Sequence, residues 1–239
     1  MKTLVLVHGF MGGSAQWAAQ ESALSSGFNV VSVDLPGFGK NADLSAPDRM
    51  SEFAAFVLET LTERQIDRFY LLGHSMGGMI VQEMMATAPE RVEKLILYGT
   101  GASGVLPGRF ESIAESKRRA QQDGAQATAR RISATWFLDL EKSPAYEACA
   151  AIAERSSSQA IDAGLDAMDV WTRVDNLGRI SVPTLVVWGD KDRTYNWAQT
   201  EELWTSISGS QLAVVPGCAH AVHMEKPEIF NAIIEDFLR

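Results

Sequence analysis

Six short runs of the chain, residues 4–7, 28–33, 69–72, 92–98, 183–188 and 211–215, are rich in aliphatic and aromatic side chains with little alternation. A half-exposed strand alternates apolar and polar positions, so these runs predict strands covered on both faces, as in a parallel sheet. Helical periods fill the gaps. Met50, Phe53, Ala54, Val57, Leu58 and Leu61 form one stripe at that spacing, which predicts an amphipathic helix laid on the sheet. Helices are also predicted over 14–25, from just after Ser75 to Ala88, and over 225–238. In the last of these, Ile229, Phe230, Ile233, Ile234, Phe237 and Leu238 are expected to face the core.

From 100 to about 180 the strand pattern is lost. Ala129, Ile132, Trp136 and Leu140 share one helical face, as do Ala145, Cys149, Ile152 and Ala153, and again Ile161, Leu165 and Met168. Gly124, Pro144 and the serines at 156–158 interrupt the pattern, which predicts roughly four short helices. Strand and helix therefore alternate, pause for a helical insertion, and resume.

The run 69–72 drives into Gly73-His74-Ser75-Met76-Gly77-Gly78. A serine between strand and helix, with glycine at both plus and minus two, can hold a sharp strained turn without clashes and present its hydroxyl. The helix that follows aims unpaired N–H groups at the same point, where negative charge gathers during acyl transfer. Such a serine suits nucleophilic attack; the plainer alternative is a glycine-rich turn. Two further loops, His8-Gly9-Phe10-Met11-Gly12-Gly13 and Asp34-Leu35-Pro36-Gly37-Phe38-Gly39, follow the first and second runs. Open α/β sheets place ligands at such carboxyl ends of strands.

In this order and at these spacings, His8-Gly9-Phe10, the turn at 34–39 and the elbow at 73–78 resemble the α/β-hydrolase superfamily, most closely its serine-dependent capped carboxylesterases and enol-lactonases. The resemblance implies an α/β fold, with a mostly parallel central sheet flanked by helices. Its core would comprise 1–100 and 179–239, and a helical cap 101–178. Many members carry an antiparallel strand pair before the His-Gly strand, so here the sheet is expected to be shorter at that edge. The family's chain order of nucleophile, acid and base implies Ser75, Asp192 and His220. Asp190 competes for the acid and His223 for the base, while His8 and His74 are expected to support loops. The backbone N–H groups of Phe10 and Met76 are the expected oxyanion hole. Met11, Trp136, Phe137, Tyr146, Trp171 and His223 are expected to line the substrate pocket, with Phe10 as part of its wall. Arg109, Arg130 or Arg173 would anchor a substrate carboxylate.

Composition then excludes more than it adds. The 239 residues, 46% hydrophobic and 21% charged, fit one ordinary globular unit with an insertion. A net charge of −9 argues against nucleic acid or a polybasic membrane contact. No run approaches the roughly 20 apolar residues that span a bilayer, and the N-terminal run is too short for a signal peptide. Cys149 and Cys218 lie far apart with no metal-ligand spacing, so neither a disulfide framework nor a metal site is expected and a reducing, cytoplasmic setting fits. No Gly-Lys-Ser/Thr follows the first glycine-rich loop, which disfavours phosphate binding. The expected function is cofactor-free hydrolysis of a small-molecule ester, lactone or thioester through an acyl-enzyme. Serine at the elbow, where dehalogenases and epoxide hydrolases need aspartate, argues against alkyl-enzyme chemistry. Alternatives are a carbon-carbon bond hydrolase or lyase of the same fold, and a non-catalytic ligand receptor. No oligomeric state is implied.

Overall fold

The computed structural model describes residues 1–105 and 111–239. Its strands are β1 (Lys2–Val7), β2 (Phe28–Val33), β3 (Phe69–His74), β4 (Val92–Tyr98), β5 (Thr184–Gly189) and β6 (Gln211–Val215). They form one sheet in the order β2-β1-β3-β4-β5-β6, and every neighbouring pair is parallel. The connecting helices are α1 (Ala18–Leu24), α2 (Met50–Glu63), α3 (Met76–Thr87), α4 (Ile113–Asp123), α5 (Ala125–Ala134), α6 (Tyr146–Ala153), α7 (Ser158–Asp169), α8 (Trp197–Ser206), α9 (Val222–Glu225) and α10 (Pro227–Leu238).

Alternate residues of a strand point to opposite faces. Leu4, Leu6, Leu72, Ile96, Tyr98 and Leu185 pack with Leu24, Phe230 and Ile234 on the α1 and α10 side. Val5, Val7, Leu71, Leu95, Leu97 and Val186 pack with Phe53, Val57, Met79 and Ile80 on the α2 and α3 side. Both faces are thus covered, which is why the strand runs carry little polar alternation. The chain steps from β1 out to β2, returns to β1's other side at β3, and continues outward to β6. Such a reversal opens a crevice at the carboxyl ends of the central strands.

Helices α4 to α7 lie between β4 and β5 in the chain; α4 packs on α5 and α7, and α5 on α6. The two ends of this insertion are joined. Ser103 bridges to Thr172, the Gly104 N–H donates to the Trp171 carbonyl (2.8 Å), and the Arg173 N–H donates to the Ala102 carbonyl (2.7 Å).

Three expected elements are corrected. The helix expected over 14–25 begins as a 3-10 turn, Ser14–Trp17, before α1. The helix expected over 225–238 is two, broken at Lys226 (φ −138°), because the residue before Pro227 is driven out of the helical region. On α10, Ile229 is 48% exposed rather than in the core. Leu140 also leaves the face expected of it: α5 ends at Ala134, and Leu140 is exposed with φ 54°.

Candidate active site

Ser75 joins β3 to α3 with φ 57° and ψ −122°. A side chain held there costs of order 1–3 kcal/mol, so its surroundings must fix it. The Ser75 N–H donates to the Tyr98 carbonyl (3.0 Å), and the Ser75 carbonyl accepts from the Gly78 N–H (2.8 Å) and the Thr100 hydroxyl (2.8 Å). The flanking glycines permit close approach. A β-carbon on Gly73 would lie 2.4 Å from the Gly77 carbonyl oxygen, and one on Gly77 would lie 2.3 Å from that of Val7. Helix α3 therefore starts hard against β1. Gly9 brings the first loop equally near, since a β-carbon there would lie 2.9 Å from Ser75 Cβ. Phe10 follows at once. Met76 is the first residue of α3, so its N–H has no carbonyl one turn earlier within the helix.

Asp192 and His220 stand on the loops after β5 and β6. His220 Nδ1 is 2.8 Å from Asp192 Oδ2, with both side chains buried. An ionised carboxylate only accepts, so Nδ1 carries the proton and Nε2 of the neutral ring offers a lone pair. Asp192 Oδ1 is fixed in turn by the N–H groups of Thr194 (2.7 Å) and Tyr195 (3.1 Å). The His220 ring lies between His74 (centroids 4.5 Å) and Tyr195 (5.7 Å, interplanar 18°). Gly99, after β4, leaves it room: a β-carbon there would be 3.3 Å from Nδ1. Among the described residues no hydrogen bond joins the Ser75 hydroxyl to His220. Asp190, the competing acid, instead accepts from the Gly217 N–H (2.6 Å) and pairs with Lys191, tying the two loops together.

The other three histidines are buried supports. His8 donates from Nδ1 to the Gly9 carbonyl (2.8 Å) and accepts at Nε2 from the Leu35 N–H (3.0 Å), a pattern only the neutral ring can make. Burial lowers it to about 4. His74 is stacked on Tyr98 and donates from Nε2 to the His220 carbonyl (3.1 Å); burial, then the charges of His220 and His223, hold it well below the usual range. His223 sits among Trp17, Tyr98 and Phe230 and is lowered to about 3 by burial. It therefore belongs to the core rather than to a pocket wall.

The family model for the alpha/beta hydrolase fold matches residues 2–227. The chain belongs to the α/β-hydrolase family. A 2-hydroxy-6-oxononadienedioate/2-hydroxy-6-oxononatrienedioate hydrolase of Pseudomonas putida is 29% identical over 260 residues, covering 99% of this chain and 88% of that protein. The enol-lactonase of Burkholderia xenovorans LB400 superposes with a TM-score of 0.91 at 25% identity, covering 99% of this chain and 91% of the other. A thermophilic esterase of Thermogutta terrifontis gives 0.90 at 25% identity, covering 100% and 90%. This chain is accordingly an enzyme, and hydrolysis is its reaction class.

Of the side chains expected to line the hydrolase's pocket, Trp136 stands close to the base, its ring 6.3 Å from that of His220. Met11 is wholly buried on the Gly9 loop with φ 54°. Phe137 is also wholly buried, edge-on to Tyr146. Tyr146 itself turns to the insertion, its hydroxyl donating to the Arg130 carbonyl (3.3 Å) beside an open surface groove. The Trp171 indole donates to Glu83 Oε1 (2.7 Å). The proposed carboxylate anchors are already paired: Arg173 holds both oxygens of Glu83 (2.7 and 2.6 Å), and Arg130 holds Glu147 and Glu154. Arg109 lies outside the described residues. A cavity lined by Gln82, Met85, Arg173 and Ile180 sits toward the far end of α3 and touches neither Ser75 nor His220.

Sequence reasoning passed over Tyr98. Its hydroxyl donates to the His220 carbonyl (2.9 Å), beside the His74 donor. The available signal was a polar-tipped ring closing a strand just after the aliphatic run Leu95-Ile96-Leu97. Arg193 and Glu225 were also passed over, because a lone charge in a loop or short helix usually serves only the solvated surface.

Proposed function

We propose that this hydrolase cleaves small, uncharged carboxylic esters, lactones or thioesters through an acyl-enzyme on Ser75. The observation that carries the reading is the 2.8 Å contact from Asp192 to His220 Nδ1, which leaves Nε2 as the basic face of the ring. A serine hydroxyl needs such a base at neutral pH. As Ser75 Oγ bonds to the substrate's carbonyl carbon, its proton passes to Nε2, and the developing oxyanion takes the N–H groups of Phe10 and Met76. The tetrahedral intermediate then breaks the bond to the leaving oxygen or sulfur, which receives the proton from His220. Water, deprotonated by the same nitrogen, repeats the sequence on the acyl-enzyme and frees the acid and Ser75. The hydrogen bond from Ser75 to Nε2 is one that catalytic sites commonly tighten only once substrate is bound. The likeness to an enol-lactonase and an esterase supports ester chemistry.

A second reading, carbon-carbon bond cleavage, is favoured by the Pseudomonas putida relative, whose named substrates are dicarboxylates. A buried carboxylate needs a cationic partner. Arg130 and Arg173 are held by Glu147, Glu154 and Glu83, which supports an uncharged substrate instead. The test is a panel of short-chain p-nitrophenyl esters, lactones and carboxylated dienoates. The account expects burst release of p-nitrophenol, turnover lowered about 10⁴-fold or more in Ser75→Ala, and little action on dienoates. Preference for dienoates would replace this reading with the second, and ligand binding without turnover would replace it with a receptor.

A further inference from the structure

We propose that Arg193 and Glu225 are positioning residues, clamping the insertion's segment 136–138 to the loops that carry Asp192 and His220. The inference rests on the roles given above to Ser75, Asp192 and His220.

The segment lies between the end of α5 and the 3-10 turn Leu140–Lys142, where irregular backbone must find hydrogen-bond partners outside a helix. The N–H groups of Trp136 and Phe137 turn back to α5, and the other groups find partners on the loops that carry Asp192 and His220 and on Glu225 at the end of α9. Arg193 donates from Nη1 to the Phe137 carbonyl (2.8 Å) and from Nη2 to the Leu138 carbonyl (2.9 Å). Glu225 accepts the Leu138 N–H at Oε1 (2.6 Å) and the Ala219 N–H at Oε2 (2.7 Å). The Ala221 N–H donates to the Trp136 carbonyl (2.9 Å). The neighbours of the proposed acid and base, at 193, 219 and 221, are therefore all engaged with the segment, directly or through Glu225. The indole of Trp136 meanwhile stands 6.3 Å from the His220 ring.

The residue types suit the task. A guanidinium is a rigid fork that spans two adjacent carbonyls, which a lysine ammonium cannot do in that geometry. A carboxylate accepts two N–H groups through separate oxygens, whereas an amide would set its NH₂ against one of them. His74 and Tyr98 donate to the His220 carbonyl, while Glu225 holds the Ala219 N–H and the Trp136 carbonyl holds that of Ala221. Docking of the insertion and alignment of the base thus become one event. Loosening the clamp lets the ring drift, and a misplacement of about 1 Å is enough to cost about 100-fold in rate.

A clamp that merely fastened the insertion would change stability and leave turnover alone, so the test reads both structure and rate. Arg193→Lys and Glu225→Gln are compared with Glu147→Gln, which alters an exposed ion pair on the insertion. Amide hydrogen exchange is followed in each protein, with kcat and KM on a p-nitrophenyl ester. Arg193→Lys is expected to speed exchange over 218–222, which Arg193 does not touch, and Glu225→Gln to speed it over 193–195, by about tenfold or more; kcat falls about 10- to 100-fold with KM within about threefold. The Glu147→Gln control changes neither. Faster exchange confined to the substituted residue's own partners, or a kcat within about twofold of the unsubstituted protein, overturns the clamp. If the unsubstituted protein hydrolyses no ester, the functional reading falls, and the exchange pattern alone decides whether the clamp exists.

Discussion

Burial keeps a histidine neutral where nothing offsets it, and it prevails at His8 despite Asp34, at His74 and at His223. The consequence is a stability that depends on pH. Below about 6.5 the unfolded chain takes up three protons that the folded chain refuses, so stability falls as pH falls, by up to about 1.4 kcal/mol per unit for each ring. Above that value the two states bind equally and the effect vanishes. Asp34 and Glu83 act lower still. Despite burial, hydrogen bonds from the Ser14 and Lys40 amides, and from Arg173 and Trp171, hold their carboxyls below the usual range. Urea unfolding at pH 7 and pH 5.5 should differ by up to about 3–4 kcal/mol, with the acid sample weaker; equal stabilities would show that the three rings are not held neutral. At this scale the places of Ser75, Asp192 and His220 past the ends of β3, β5 and β6 were legible, because apolar runs and glycines mark where the strands stop; the roles given to them are those proposed above. Side-chain direction was not, because helix rotation decides which way an aromatic points, and Tyr146 is buried within the insertion beside Arg130 while His223 turns into the core.

Elements meet here at distances that only particular residues permit. The start of α3 against β1 is a tight joint near the site, and its limiting atom, the Val7 carbonyl oxygen, belongs to a paired central strand that cannot retreat. Gly77→Ala is therefore expected to lose about 3 kcal/mol or more, at the high end of overpacking. Gly27→Ala meets nothing closer than 3.9 Å and should stay within about 0.5 kcal/mol. Thermal or urea melts of the two proteins measure the contrast, and similar losses would refute the close joint. The inner strands β1, β3, β4 and β5 were readable from the sequence because a parallel sheet buries both of their faces and so writes apolar runs, whereas the edge strands β2 and β6 are only partly covered. The break between α9 and α10 could also have been read, since Pro227 restrains Lys226. That Ile229 faces water on α10 could not, because six large apolar positions in fourteen residues wrap more of a helix than one core can cover.

Across the whole molecule, residues distant in sequence gather at one rim because every strand runs the same way. The loops after β1, β3, β5 and β6 supply Phe10, Ser75, Asp192 and His220, and the insertion lies across them through Trp136 and the clamp. The order of motifs announced this convergence; the hydrogen bonds that couple insertion to loops depend on backbone groups and left no mark in the pattern. Among the described residues no helix is long and apolar enough to cross a membrane. The central claim, that these loops make Ser75 a nucleophile, is tested most directly by mass spectrometry of the protein quenched within milliseconds of mixing with p-nitrophenyl acetate. The account predicts one added acetyl group, located on Ser75, absent in Ser75→Ala and formed far more slowly in His220→Ala. Rapid ester turnover with no acyl group on Ser75, or acetylation undiminished by loss of His220, would contradict it.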